Sequence, residues 1–247
     1  MRTFFILACI AILAFSHSHA ARAADGQILI TQAKALAGGV TPGDAPGFPV
    51  SITLAGSYVL GSNLIVTPGQ SGIVVNAVEV AIDLNGFTIA GARSLYTNGV
   101  LGPQRNLTVR NGTIRFFQQA GVISNGGALI AEHLRIGEND SFGIYDQGGD
   151  GVLRNNTLIA NGIGITCTRR CHVEGNMISR NRSTGVWILE AGTVLGNSIF
   201  GNGSYGVYLN TNTIAGLGNN TILGHSQRQI FGSYRILFPN ACTGVGC

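Results

Sequence analysis

Lysine is almost missing from this chain of 247 residues, with Lys34 the only one. All charged residues together make up 11%, against roughly 25% in ordinary globular proteins. No basic stripe interleaved with aromatics can be drawn from so few cations, which excludes nucleic acid as a partner. Long apolar runs are also missing, apart from the first residues. There, Phe4 to Phe15 supply about a dozen apolar positions, too few to span a bilayer. Arg2 precedes that run, and Ala21-Arg22-Ala23 offers a small-x-small cleavage site after it, so residues 1–23 read as a secretory signal peptide. The expected location is secreted or periplasmic, with no membrane span. Cleavage removes Arg2 and Arg22 and takes the formal charge from +4 to +2.

Cysteine is scarce as well. Outside the signal there remain Cys167, Cys171, Cys242 and Cys247, an even number in two close pairs. In an exported chain that pattern reads as disulfides, one closing the turn Thr168-Arg169-Arg170 and one stapling the C-terminal end. Four thiols set so far apart along the chain cannot share one tetrahedral zinc.

Glycine and asparagine are what the chain does have. Gly numbers 37, about twice the usual share, yet abundant aliphatic residues argue against disorder. These residues recur with a period. The phrase Gly-Asn-x-Ile-x-x-Asn-x-x-x-Gly-Val-aromatic-aliphatic runs from Gly175 to Ile188 and again from Gly196 to Leu209. Taking the aliphatic residue as reference, it falls at Ile89, Ile114, Ile136, Leu158, Ile178, Ile199 and Ile222, in steps of 25, 22, 22, 20, 21 and 23. Asparagines keep step two residues before it (Asn156, Asn176, Asn197, Asn220) and three after it (Asn139, Asn161, Asn181, Asn202), and a glycine recurs at Gly121, Gly143, Gly164, Gly185 and Gly206. A period of this size means stacked repeats. Within each repeat the apolar residues alternate in short runs, which means strands with one face inward. Gly and Asn break any helical pattern, and the leucine-rich phrase L-x-x-L-x-L is missing. Three short strands per repeat, joined by turns, make one coil of a parallel β-helix. The expectation is seven or more coils, with the recurring Gly and Asn adopting positive φ at the corners and the asparagines bonding to one another in ladders.

Over roughly Val78 to Ile230 the sequence resembles the right-handed parallel β-helix superfamily with the pectin-lyase-like fold, through its N-x-I-x-x-N-x-x-x-G-I/V repeats. The resemblance implies an all-β, right-handed solenoid, and it leaves function open because that fold carries lyases, hydrolases, epimerases, adhesins and binding proteins. The expected organisation is a signal at 1–23, an N-terminal cap over 24–50 covering the open apolar end, the β-helix over 51–238 and a C-terminal tail over 239–247. A short helix is expected in Ile30 to Ala37.

Two places hold residues that can carry chemistry. The position two after the recurring glycine holds Ile123, Tyr145, Thr166, Trp187 and Tyr208. If the residue between them points in, these point out, and Tyr145, Trp187 and Tyr208 form a platform for sugar rings, since each pairs broad apolar area with a polar edge. A covering loop or partner chain is the competing reading. The corners near that strip hold Asp146, Asp150, Arg169, Arg170 and Glu190. Asp146 and Asp150 are candidate oxygen ligands for Ca²⁺. Asp150, Arg170 and Glu190 are candidate catalytic groups, with arginine pairing a uronate carboxylate. Rim ion pairs are the simpler reading of the same residues. Arg110, Glu132, Arg154 and Glu174, alternating in sign, read as a surface ladder. The resemblance weakens the case for an enzyme. The adjacent Asp pair and Gly-His-Gly of polygalacturonase-like members are missing, as is the Asp-Pro-His-Glu of alginate-epimerase-like members. His133, His172 and His225 share no motif, and His225 takes an asparagine's place at a turn. The expected function is a secreted protein that binds or organises polysaccharide at the cell surface without catalysis. A small lyase or hydrolase acting on an acidic glycan is the first alternative, and a structural adhesion module the second.

Overall fold

The structure, a computed structural model, describes residues 26–243. The expected signal peptide and Cys247 lie outside the described residues. The chain winds into a parallel β-solenoid with a nine-stranded sheet along one side and a seventeen-stranded sheet wrapping the other two. Nine strands in one sheet mean nine coils, two more than the sequence repeat marks out. At about 4.8 Å per coil the rod is roughly 40 Å long. A representative coil has Tyr205–Leu209 in the nine-stranded sheet, then Ile214–Gly218 and Thr221–Leu223 in the larger one. Earlier coils run through the second corner as one strand, as in Leu107–Arg115 and Leu129–Gly137.

Register follows the sequence repeat. Val122, Ile144, Ile165, Val186, Val207 and Ile230 are successive partners in the nine-stranded sheet, and all are buried. The reference residues Ile114, Ile136, Leu158, Ile178, Ile199 and Ile222 stack the same way. Burying each such side chain is worth roughly 1.5–3 kcal/mol, so the core is a set of aliphatic columns running along the rod.

The asparagines form two ladders inside it. In one, Asn197 Oδ1 accepts from both the backbone N–H (2.9 Å) and the side-chain Nδ2 (3.0 Å) of Asn176. Asn176 Oδ1 receives the same pair from Asn156. Each Nδ2 donates a second bond to a carbonyl, as Asn176 does to Leu153 at 2.8 Å. In the other, Asn139, Asn161, Asn181 and Asn202 repeat the arrangement. Each of these buried amides has both its oxygen and its nitrogen hydrogen-bonded, which is the condition for placing polar groups in a dry core.

The backbone corrects one expectation. The laddered asparagines do not themselves sit at positive φ; the residues just before them do, among them Asn155 (56°), Ala160 (57°) and Arg180 (52°). That left-handed step turns the next side chain inward. The recurring glycine serves close approach instead. A Cβ on Gly185 would stand 2.7 Å from both the Gly206 carbonyl oxygen and Ile199 Cγ2.

At the N-terminal end, Ile28–Ile30 pairs with Gly56–Leu60 and the helix Gln32–Ala37 follows, with Ala35 buried. Thr31 caps the helix by accepting from Lys34 N. Asp44, buried in the following turn, accepts from Val40 N (2.9 Å) and Ser51 N (2.7 Å) and ties that segment to the first coil. At the other end pairing continues to Ala241–Cys242, against Thr221–Leu223.

Candidate functional site

The outer face of the nine-stranded sheet carries two columns of side chains. In one, Ile123, Tyr145, Thr166, Trp187, Tyr208 and Phe231 are successive register partners. Alternation places them outside because their neighbours in the strand fill the core. In the other stand Phe142, Ile163 and, further along, Tyr205 and Arg228. Tyr145, Trp187 and Tyr208 are half-buried, whereas Ile123 and Thr166 are each only 3% exposed. The rings cluster toward the C-terminal coils. Trp187 and Tyr208 meet edge to face at 5.6 Å, Tyr208 stacks on Phe231 at 5.0 Å, and Tyr205 lies 5.1 Å from Tyr208 and 5.4 Å from Phe231. Tyr145 stands apart, stacked on Phe142 at 4.5 Å. Thr166 separates the two groups.

This break makes relief. A shallow depression of about 210 Å³ is lined by Ile163, Ser183, Thr184, Trp187, Tyr205 and Tyr208. It is smaller than the ~300–1,000 Å³ typical of small-molecule pockets, a size that suits one ring of a longer molecule lying across the face. Trp187 Nε1 and Thr166 Oγ1 are buried without a hydrogen-bond partner among the described residues. The sequence column included Tyr145, Trp187 and Tyr208 but omitted Phe142, Tyr205 and Phe231. The missed signal is simple: Phe142 and Tyr205 each stand directly before a recurring glycine.

Charge is nearly absent from this sheet. Of the residues in its nine strands only Asp146 and Arg228 are charged. Asp146 continues an inward column between Ser124 and Cys167, and is 1% exposed. Arg228 is exposed, with its guanidinium carbon 5.6 Å from the Phe231 ring centre.

The charged corner is therefore split. Asp146 faces the core; one oxygen accepts from Gly148 N at 3.2 Å and the other has no partner among the described residues. Burial pushes its carboxyl up to about 6, against the opposing pull of backbone N–H groups from the glycine turn. Asp150 faces solvent and pairs with Arg170 through two bonds, Nε at 2.8 Å and Nη2 at 3.0 Å. Arg170 holds the Asp150 carboxyl below its usual range. Glu190 is exposed and close enough to Arg170 to act on it only through charge. The structure thus joins Asp150 to Arg170 and separates both from Asp146. No group of three His, Cys, Asp or Glu able to hold a metal ion exists among the described residues. Cys167 and Cys171 are disulfide-bonded with Cα atoms 6.3 Å apart, within the range that disulfides span.

The larger sheet carries the ion pairs. Arg110 meets Asp83 at 3.0 Å and Arg154 meets Glu132 at 2.7 Å. His172 bonds through Nδ1 to Thr193 Oγ1 on the next coil and through Nε2 to Glu174 at 3.2 Å. His172 and Thr193 are 21 residues apart, one coil, which is the spacing that could have paired them in the sequence.

Residues 50–197 match the family described as right-handed beta helix region. Among solved structures, the fold is similar to the crystal structure of Dettilon tailspike protein (gp208), at 12% identity and a TM-score of 0.40, over 85% of this chain. The chain spans 61% of the length of that structure. No curated protein matches it.

Proposed function

The chain belongs to the right-handed β-helix family, and on that premise we propose that it is an exported protein that binds polysaccharide on the outer face of its nine-stranded sheet, without cleaving it. The observation that carries this reading is the ring cluster of Trp187, Tyr205, Tyr208 and Phe231, partly open and beside a ring-sized depression. Sugars offer an apolar face and a hydroxyl rim, and aromatic side chains held rigid by a β-sheet take the first without an entropic cost for ordering. Successive coils repeat at about 4.8 Å, close to the length of one sugar unit in an extended chain, so a glycan running along the rod meets a similar surface at each step. The Cys167–Cys171 bridge supports an oxidising compartment, and no helix among the described residues is long and apolar enough to cross a membrane.

The corner at Asp150 and Arg170 supports catalysis less well. Asp150 already occupies two guanidinium N–H groups of Arg170, the donors a substrate carboxylate would need. The test is a panel of soluble β-glucan, mannan and alginate, scored for binding and for product. Binding to at least one, with no new reducing ends and no unsaturated product, is the expected result. Cleavage in calcium that Arg170→Ala abolishes would transfer the function to the corner.

A further inference from the structure

The second asparagine ladder ends in a different residue. Asn139, Asn161 and Asn181 each hand their backbone N–H to the asparagine of the next coil. Asn202 hands its own to Nδ1 of His225 at 3.1 Å. The other ring nitrogen, Nε2, meets the Ile199 carbonyl at 3.2 Å. A carbonyl only accepts and an N–H only donates, so the two contacts fix the neutral tautomer with the proton on Nε2. His225 is 8% exposed. It lies under the aromatic face: Tyr205 and Tyr208 follow Asn202 in one coil, and Arg228 and Phe231 follow His225 in the next.

We propose that His225 is an acid-sensitive latch on the polysaccharide face, holding the last two coils together at neutral pH and releasing them in acid. This rests on the reading of that face as a glycan site. A proton arriving at Nδ1 would point at the Asn202 N–H. One hydrogen bond becomes a contact between two donors, and a charge is left in a site with no acid to pair it. The groups packed on the ring are the Ile199 carbonyl, Asn202 and the backbone of Gly206, none of which titrates. Tyr205 and Arg228 stand at outward positions on the neighbouring strands. An asparagine here would keep the ladder and could not titrate.

Burial holds the imidazole below its ordinary 6.5, against the Ile199 carbonyl, which favours the protonated ring. With the folded value depressed, the unfolded segment binds the proton first, so the stability contributed by the neutral ring is complete above 6.5 and declines as pH falls below it. The decline is about tenfold per pH unit until the folded form also takes the proton. Asp146, four coils away, titrates with the opposite sign and cannot mimic the effect.

The test is amide exchange of residues 202–231 at pH 7.5 and 5.0, corrected for intrinsic exchange, with β-glucan, mannan and alginate binding measured in parallel. In the wild type, protection of these residues should fall at pH 5.0, by up to about thirtyfold, and binding should weaken with it. His225→Asn should keep both. Unchanged protection in the wild type, or an equal loss in His225→Asn, overturns the latch. If the variant fails to fold, the wild type still decides: loss confined to 202–231, with Leu107–Gly137 unchanged, supports the latch, and uniform loss overturns it. Intact latch behaviour with no glycan bound at pH 7.5 would overturn the polysaccharide reading and leave the latch standing.

Discussion

Asn176 gives Asn197 two hydrogen bonds, 2.9 Å from its backbone and 3.0 Å from its side chain, onto a single carboxamide oxygen. That relationship, repeated from coil to coil, makes the interior of the rod directional as well as apolar. An aliphatic column tolerates a slip of register; a laddered amide does not, because every slipped bond leaves a buried group unmet.

Asn176→Ala should therefore destabilise the rod by about 1–3 kcal/mol, since the Asn156 donors and the Leu153 carbonyl lose their partner. Thr157→Ala, at an outward position one coil earlier, should cost well under ~1 kcal/mol. Equal shifts in thermal midpoint for the two variants would contradict the ladder's role.

Gly185→Ala should cost several kcal/mol, by overpacking rather than backbone strain. Its new methyl would meet the Gly206 carbonyl and Ile199 in a core that has no slack. Ile199→Leu in the same chain should recover part of the loss by removing the Cγ2 branch that faces the new methyl. Chemical denaturation of the single and double variants reads this, and strictly additive losses would count against it.

Asp146 should make the fold less stable at neutral pH than it could be. Its carboxyl titrates at about 6 in the folded chain and from 3.8 when unfolded. The folded form takes up the proton first as pH falls, so the penalty is full above 6 and fades toward 3.8. Asp146→Asn should raise stability at pH 8 by up to about 3 kcal/mol, with the gain shrinking at pH 4.5. A gain that is constant with pH would show that the buried charge is not its source.

Arg228 is the one charge that the outer face of the nine-stranded sheet presents. Arg228→Gln should weaken binding to carboxylated alginate several-fold and leave binding to neutral β-glucan or mannan nearly unchanged. Equal weakening for charged and neutral glycans would make Arg228 a packing residue through its contact with Phe231.

The fold could be read from the sequence because the repeat is written in it. One aliphatic column, two of asparagine and one of glycine, at steps near 22, fix coil length, strand positions and which faces turn inward. The two coils outside the count are the first, whose Leu64 stacks on Ile89 without either asparagine, and the last, where Cys242 replaces the aliphatic residue beside Ile222. The corner chemistry was legible only in part. Asp146 and Asp150 lie four residues apart across a glycine turn, and the alternation that sends Asp146 inward depends on where the strand ends. The aromatic face was half legible. Its column through Trp187 follows the repeat, whereas Phe142 and Tyr205 belong to a second column, directly before the recurring glycine, whose other members are not aromatic.

The central claim is that the face bearing Trp187 binds polysaccharide, and the most direct measurement is a titration of β-glucan, mannan and alginate against wild type and Trp187→Ala, followed by calorimetry, with folding checked by circular dichroism. The account predicts binding of at least one glycan by the wild type, and at least tenfold weaker binding by a variant that is equally folded, since base- and sugar-like rings on aromatic platforms contribute about 1–3 kcal/mol each. Undiminished affinity in folded Trp187→Ala, or no binding of any glycan by the wild type, would contradict it.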